Sequence, residues 1–90
     1  MQFLWDSIKA RSNVLKHGVS FAEAISALCD PLAMTGYDPD HSIHEDRYIT
    51  FGKVDEYRLL VVSHTEENDT IRIISCRSAT LQERKIYETA

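Results

Sequence analysis

The stretch RLLVVSHTEENDTIRIISCR, residues 58–77, decides the fold. It holds two runs rich in β-branched residues, 58–65 and 70–77, joined by a polar segment at 66–69. Such runs are typical of strands, and the polar segment predicts a hairpin connection. The run from Leu59 to Val62 shows no apolar–polar alternation, which indicates burial on both faces. We therefore predict an antiparallel pair whose first strand lies in the centre of a sheet.

Three more strands are predicted around this pair. Segments 33–37 and 47–53 are also rich in β-branched and aromatic residues, and Asp55-Glu56 predicts a hairpin that links 47–53 to the central strand. The last three strands should therefore form an antiparallel meander. The short apolar run 2–5 suits a further strand, which comes first in the chain.

A helix is predicted directly after the first strand. Asp6 occupies the position of an N-cap, and Gly18 with its conformational freedom ends the helix. Between them, residues 7–16 follow the pattern of a half-buried helix, and the apolar side chains that predict its buried side are Ile8, Val14 and Leu15.

Two capping boxes predict two further helices. Ser20 and Glu23 start a second helix at residue 21, which Asp30-Pro31 stops, so the first two helices form a hairpin. Thr80 and Glu83 start a final helix. The predicted order is β-α-α-β-β-β-β-α, an α+β fold with an antiparallel sheet, and 90 residues suffice for one domain, 1–90.

The charge balance limits how this protein could contact nucleic acid. A net charge of -4 excludes a protein that coats nucleic acid non-specifically, because such proteins carry an excess of Lys and Arg. Any RNA site must therefore be a local basic patch.

The two cysteines and the apolar segments predict a cytoplasmic protein without a membrane partner. Cys29 and Cys76 are far apart, so a zinc site of four cysteines is impossible, and we expect both to be buried thiols in a reducing compartment. Neither a signal peptide nor a membrane-spanning segment is indicated.

A series of short motifs resembles the BrnT family of toxins. The resemblance runs through the whole chain in order, and its residues are Phe3-Leu4-Trp5-Asp6, Lys9, Asn13, Lys16-His17-Gly18-Val19-Ser20-Phe21, Asp30-Pro31-Leu32-Ala33, Tyr37-Asp38-Pro39-Asp40-His41-Ser42, Glu45, Arg47, Ile49-Thr50, Arg72-Ile73-Ile74-Ser75, Arg77, Ala79-Thr80, Glu83-Arg84 and Tyr87. One departure is Cys76, where a small residue such as Ala is expected.

This resemblance implies a RelE-like fold within the RelE/ParE toxin superfamily and a type II toxin–antitoxin system. It implies that the free toxin is a metal-independent endoribonuclease without a cofactor, which cleaves RNA and inhibits translation and growth in a stress response. It also implies a cognate BrnA-type antitoxin, which keeps the toxin inactive and attaches the complex to operator DNA. Whether the RNA is cut free or on the ribosome stays open.

Candidate catalytic residues follow from what metal-free RNA cleavage needs: a base for the 2′-hydroxyl, donors for the phosphorane charge and an acid for the leaving oxygen. The meander should bring Arg58 beside Arg77 at one end of the central strand, and Arg47 beside His64 at the other. The residues alone do not choose between these ends. In RelE-like toxins the catalytic residues lie on the exposed sheet face and near the final helix. The resemblance therefore favours Arg77 as the principal phosphate donor, followed by Arg47, His64 and Tyr87.

Further basic side chains are candidates for RNA binding: Lys9, Lys16, His17, Arg58 and Arg84. Each arginine has a structural alternative, an ion pair with one of the 14 acidic residues. His17 would also serve as a cation at the end of the first helix, and Tyr87 would also serve as a core residue of the last.

The loop 38–46 concentrates six groups able to bind a divalent metal, but their spacing matches no standard metal signature. Asp and Pro are ordinary turn residues, so we predict a solvated loop and no metal site. Two other function classes remain: a metal-dependent hydrolase centred on this loop, and a non-enzymatic or inactive toxin-like protein that acts through protein–protein contacts.

Overall fold

The computed structural model describes residues 1–90 and has an α+β architecture with a five-stranded sheet and three helices. Its elements in chain order are β1 (Gln2–Leu4), α1 (Ser7–His17), α2 (Phe21–Leu28), β2 (Met34–Tyr37), a 3-10 turn (Pro39–His41), β3 (Tyr48–Lys53), β4 (Leu59–Glu67), β5 (Thr70–Ser78) and α3 (Leu81–Thr89). None of the three helices has the length and apolar character needed to cross a membrane.

The sheet has the strand order β1-β5-β4-β3-β2. β4 is the central strand, and Leu59 to Val62 are all buried, as their apolar run predicted. The antiparallel meander of β3, β4 and β5 is also confirmed. The prediction of a wholly antiparallel sheet is wrong, because β1 pairs in parallel with β5 and the sheet is mixed. The direction of β1 is not set by a hairpin, since β1 leads straight into α1, which packs on β5.

Local capping chemistry forms the predicted helix ends. The Asp6 side chain accepts from the backbone N–H groups of Ile8 and Lys9, and Gly18 closes α1 in the left-handed conformation at φ 68°. Both capping boxes, Ser20 with Glu23 and Thr80 with Glu83, have their two reciprocal hydrogen bonds.

The helical hairpin covers one face of the sheet. Phe21, Ala24 and Ala27 of α2 form the buried core with Leu60 and Val62 of β4 and their neighbours. α2 also approaches β3 closely at Gly52, where an added Cβ would lie 2.0 Å from the carbonyl oxygen of Ala27. Only glycine fits at this contact.

The predicted buried side of α1 is wrong. Ile8 and Leu15 are 76% and 84% exposed, and the buried residue of this helix is the polar Asn13. The Asn13 amide group donates to the carbonyls of Val19 and Cys76, and its oxygen accepts from the N–H of Cys76. α1 is therefore attached to β5 by hydrogen bonds where an apolar stripe was expected.

The cysteine prediction is correct for one residue and wrong for the other. Cys76 lies in the core, where burial raises the pKa of its thiol to about 12. Cys29 is exposed, because it is the C-cap of α2 and lies just beyond the last buried turn of that helix.

Candidate active site on the open sheet face

The candidate site lies on the sheet face that the helical hairpin leaves uncovered, which we call the open face. Because side chains alternate along a strand, Val61 points away from the core formed by Leu60 and Val62, and Ile49 and Phe51 of β3 do the same. A cavity of about 300 Å³ opens on this face, and we call it the phosphate cavity. Its polar lining consists of Asp38, His41, Arg47, Ser63, Ser75 and Arg77.

A β-bulge in β5 places Arg77 on the open face. Ile71 and Ile73 point into the core, so strict alternation would also turn Arg77 toward the core. The register slips between Ser63 and His64 of β4, and Ile74 is left as the extra residue of β5. As a result Cys76 is buried and the Arg77 side chain lines the cavity.

Arg77 is held by a bidentate ion pair with Glu83 in the first turn of α3. Its two terminal nitrogens lie 2.8 and 2.9 Å from the two Glu83 oxygens, and one of them also donates to the Ser78 carbonyl at 3.3 Å. The pair raises the pKa of Arg77 and lowers that of Glu83 to about 2. Since a guanidinium has five N–H donors, two of those of Arg77 remain for a ligand.

Arg47, the residue directly before β3, also lines the phosphate cavity. One terminal nitrogen lies 3.5 Å from a Glu45 oxygen, and Nε is buried without a hydrogen-bond partner. The other terminal nitrogen has no hydrogen-bond partner within the protein and the side chain is 31% exposed, so these terminal donors are available to an anion.

The loop before β3 contributes a histidine–aspartate pair that the sequence analysis missed. His41 Nδ1 lies 2.8 Å from an oxygen of Asp38, at opposite ends of the 3-10 turn. The loop is closed by Ser42, whose hydroxyl donates to the Asp38 carbonyl and accepts from the N–H of Arg47 at 3.0 Å. These bonds bring His41 and Arg47 to one cavity. The available signal was the Tyr37–Ser42 motif of the family resemblance, but we predicted the loop 38–46, which contains most of it, to be a solvated loop.

Two predicted catalytic side chains lie away from the open face. His64 is fully buried, and its Nε2 lies 2.7 Å from the hydroxyl of Thr50, which makes the predicted Arg47–His64 pair wrong. His64 lies two residues after Val62 in β4, so its side chain points to the same face of the sheet, the one that the helices cover. Tyr87 is buried too, and its hydroxyl donates to Asp30 at 2.6 Å, a bond that raises its pKa to about 12.

The predicted two-arginine edge is also wrong. Arg58 forms ion pairs with Glu23 of α2 and with Asp55, so its guanidinium lies on the helix-covered side of the sheet. Arg77 lies on the opposite face, because the bulge changes its parity. Arg84 of α3 donates to the Tyr57 carbonyl at 2.6 Å and is not part of the phosphate cavity.

Three of the predicted RNA-binding residues do lie together. Lys9, Lys16 and His17 line a cavity along α1, and that cavity shares Ile74 and Ser75 with the phosphate cavity. A local basic surface therefore continues from the open face around the edge of β5.

The metal-binding side chains of the acidic loop are not gathered into one cluster. Three of its four carboxylates are hydrogen-bonded to side chains: Asp38 to His41, Asp46 to the Tyr37 hydroxyl, and Glu45 to arginines. No group of three or more His, Cys, Asp or Glu is arranged to hold a metal ion. The hydrolase alternative thus has no cluster of ligands to support it.

Comparisons with known proteins agree with the resemblance seen in the sequence. The family model of the BrnT ribonuclease toxin of type II toxin–antitoxin systems matches residues 5–83. The 1.1 Å crystal structure of the Brucella abortus ribonuclease toxin BrnT is similar to this chain, with a TM-score of 0.66 and 25% sequence identity. The similarity covers 89% of this chain and 97% of the Brucella chain. No curated protein sequence matches the chain.

Proposed function

Because the chain belongs to the BrnT family of ribonuclease toxins of type II toxin–antitoxin systems, we propose that it is an endoribonuclease that cleaves RNA without a metal ion. The observation that carries this proposal is the convergence of two arginines and a histidine–aspartate pair, Arg47, Arg77 and His41–Asp38, around one cavity on the open face. We also assign the fold to the RelE-like toxins, as the resemblance implies.

The arrangement supports attack of a 2′-hydroxyl on its own phosphate. His41 Nε2 takes the proton of the hydroxyl, and Asp38 holds the ring through Nδ1. The O2′–P bond forms and the P–O5′ bond breaks, which leaves a 2′,3′-cyclic phosphate, while the leaving oxygen takes a proton from solvent. Arg47 stabilises the charge of the phosphorane through its terminal N–H groups, and Arg77 does so through the two donors not bound to Glu83 or Ser78.

The charge distribution favours RNA binding at this surface although the chain as a whole carries a net negative charge. The net charge of -4 repels polyanions at a distance, whereas Lys9, Lys16 and His17 extend the basic surface beyond the phosphate cavity. The RNA would therefore lie across the edge of β5 and be cut on the open face, in the cytoplasm, either free or on the ribosome. Such cleavage would inhibit translation.

Membership of a type II family implies an antitoxin partner. We propose a BrnA-type antitoxin that covers the open face and carries the operator-binding part of the complex. The cationic lining of the open face, which includes Arg47 and Arg77, suits an acidic or amphipathic antitoxin segment.

The test is cleavage of single-stranded RNA by the purified chain in the presence of EDTA. We expect cleavage that leaves 2′,3′-cyclic phosphate ends, and a loss of about 100-fold or more in kcat/KM for Arg77→Ala. Arg11→Ala is the matched control, because it removes the same charge from an exposed position on α1.

Three outcomes would contradict the proposal. Loss of activity with EDTA in the wild type would indicate a metal-dependent enzyme. An active Arg77→Ala variant would mean that the active site is not at Arg77. Growth arrest on expression with intact RNA would favour the alternative, a binding protein that acts without catalysis.

A further inference from the structure

A second cavity, of about 360 Å³, adjoins the phosphate cavity on the open face. Its floor is apolar and is formed by Met34 and Gly36 of β2, Ile49 and Phe51 of β3, and Val61 of β4. The volume lies in the range of small-molecule sites, which is about 300–1,000 Å³. We call it the base cavity.

Gly36 creates the depth of this cavity. It pairs with Ile49 and therefore occupies an open-face position without filling it with a side chain. A Cβ built at Gly36 meets no atom within 4 Å, so the space above the residue is empty. Met34 pairs with Phe51 on one side of the gap, which places a thioether and an aromatic ring beside it.

Arg77 lies between the two cavities. It lines both, together with Ile49 and Val61, so the two cavities form one continuous surface with a cationic and an apolar part. A ligand that fits both parts has an anionic group and, next to it, a flat apolar group. A nucleotide has this chemistry, since its base stacks on apolar and aromatic side chains while its phosphate binds arginine.

We propose that the base cavity holds the base of the nucleotide next to the cleaved phosphate. This inference rests on the proposed function, because it takes the phosphate cavity as the place of cleavage. It restricts the substrate to single-stranded RNA, since a base stacked and paired in a duplex is not free to enter a cavity.

The test uses nuclear magnetic resonance of the whole chain with two ligands. Adenosine 3′-monophosphate carries a base, and the corresponding ribose 3-phosphate does not. Met34 lines only the base cavity, so its methyl signal reports on that cavity. Arg47 lines only the phosphate cavity, so its side-chain N–H signals report on that one. We expect ribose 3-phosphate to shift only the arginine signals and the nucleotide to shift both sets.

Gly36→Leu is designed to fill the base cavity and leaves Arg47 and Arg77 in the sequence. The added side chain enters open space in a strand, so the fold is expected to persist, which circular dichroism checks. The variant should bind the nucleotide about tenfold more weakly than the wild type and bind ribose 3-phosphate equally well, because stacking contributes only with the base present. Gly36→Ala is the graded control, with a smaller effect.

The outcomes separate this inference from the proposed function. If the arginine signals shift with both ligands and the methyl signal shifts with neither, the base cavity does not bind a base. The proposed phosphate binding in the phosphate cavity is then retained. If neither ligand shifts any signal, both proposals are overturned.

Discussion

Asp38 holds His41 through a 2.8 Å contact between its Oδ2 and the ring Nδ1, with the carboxylate side chain 13% exposed and the imidazole 67% exposed. A largely buried carboxylate therefore orients an imidazole that faces solvent. In a neutral ring, the proton on Nδ1 donates to Asp38, and Nε2 is left as the acceptor. This is the tautomer that a general base at the phosphate cavity requires.

The histidine–aspartate pair predicts graded losses of activity. His41→Ala should lower kcat of RNA cleavage about 100-fold or more, because it removes the proposed base. Asp38→Asn should lower it less, since the ring remains but its tautomer is no longer fixed. His44→Ala, in the same exposed loop, is the control and should cleave at the wild-type rate. Equal losses for His41→Ala and His44→Ala would mean that the loop as a whole, and not the pair, supports cleavage.

Asn13 should be a large contributor to stability although it is polar. Its side chain satisfies both the N–H and the carbonyl of Cys76 in the core, next to Arg77. Asn13→Leu would leave these two buried groups unpaired, at a cost of about 1–3 kcal/mol each. We expect the free energy of unfolding, measured with urea, to fall by about 2–4 kcal/mol. Ser12→Ala, at an exposed neighbouring position, should change it by less than about 0.5 kcal/mol. A similar small change for Asn13→Leu would refute the argument.

Local signals predicted the secondary structure because they act within a few residues. Asp6 and the two capping boxes satisfy backbone groups of their own helix, and the unbroken run in β4 reports burial on both faces. The prediction of the buried side of α1 was wrong because that side is decided by a contact with a residue far away in the sequence. Its attachment depends on Asn13 reaching Cys76, 63 residues away, and periodicity carries no information on such a contact.

The candidate site was predicted only in part, because two of its determinants are not local. The bulge at Ile74 decides that Arg77 faces outward, and alternation from Ile71 would have predicted the other face. The His41–Asp38 pair depends on a 3-10 turn within a loop of ordinary turn residues. Resemblance favoured Arg77 and Arg47, and both line the cavity.

The Arg77–Glu83 pair predicts an acid-dependent contribution to stability. The pKa of Glu83 is lowered from 4.5 to about 2, so its ionised form favours the folded state. This contribution is fully present above about pH 4.5 and is lost as the pH falls toward 2. Glu83→Gln retains a side chain that can complete the capping box but removes the charge.

We therefore expect the wild type to exceed Glu83→Gln in urea midpoint by a constant amount from pH 8 to about pH 5.5, and the difference to shrink between pH 4.5 and 2. Other carboxylates titrate equally in both proteins and cancel. A difference that stays constant down to about pH 2.5 would contradict the ion pair as its source.

Buried His64 predicts a second pH dependence, at higher pH. Desolvation lowers the pKa of His64 below 6.5, although Glu66, 3.8 Å from its Nδ1, acts in the opposite direction. The unfolded chain thus takes up a proton near pH 6.5 that the folded protein excludes, so stability falls as the pH decreases below about 6.5. Between pH 7 and 5.5 this loss can reach about 1 kcal/mol. His64→Gln can still bond to Thr50 but does not titrate, so its urea midpoint should fall less over this range. Equal pH dependence in both proteins would show that a group other than His64 causes the loss.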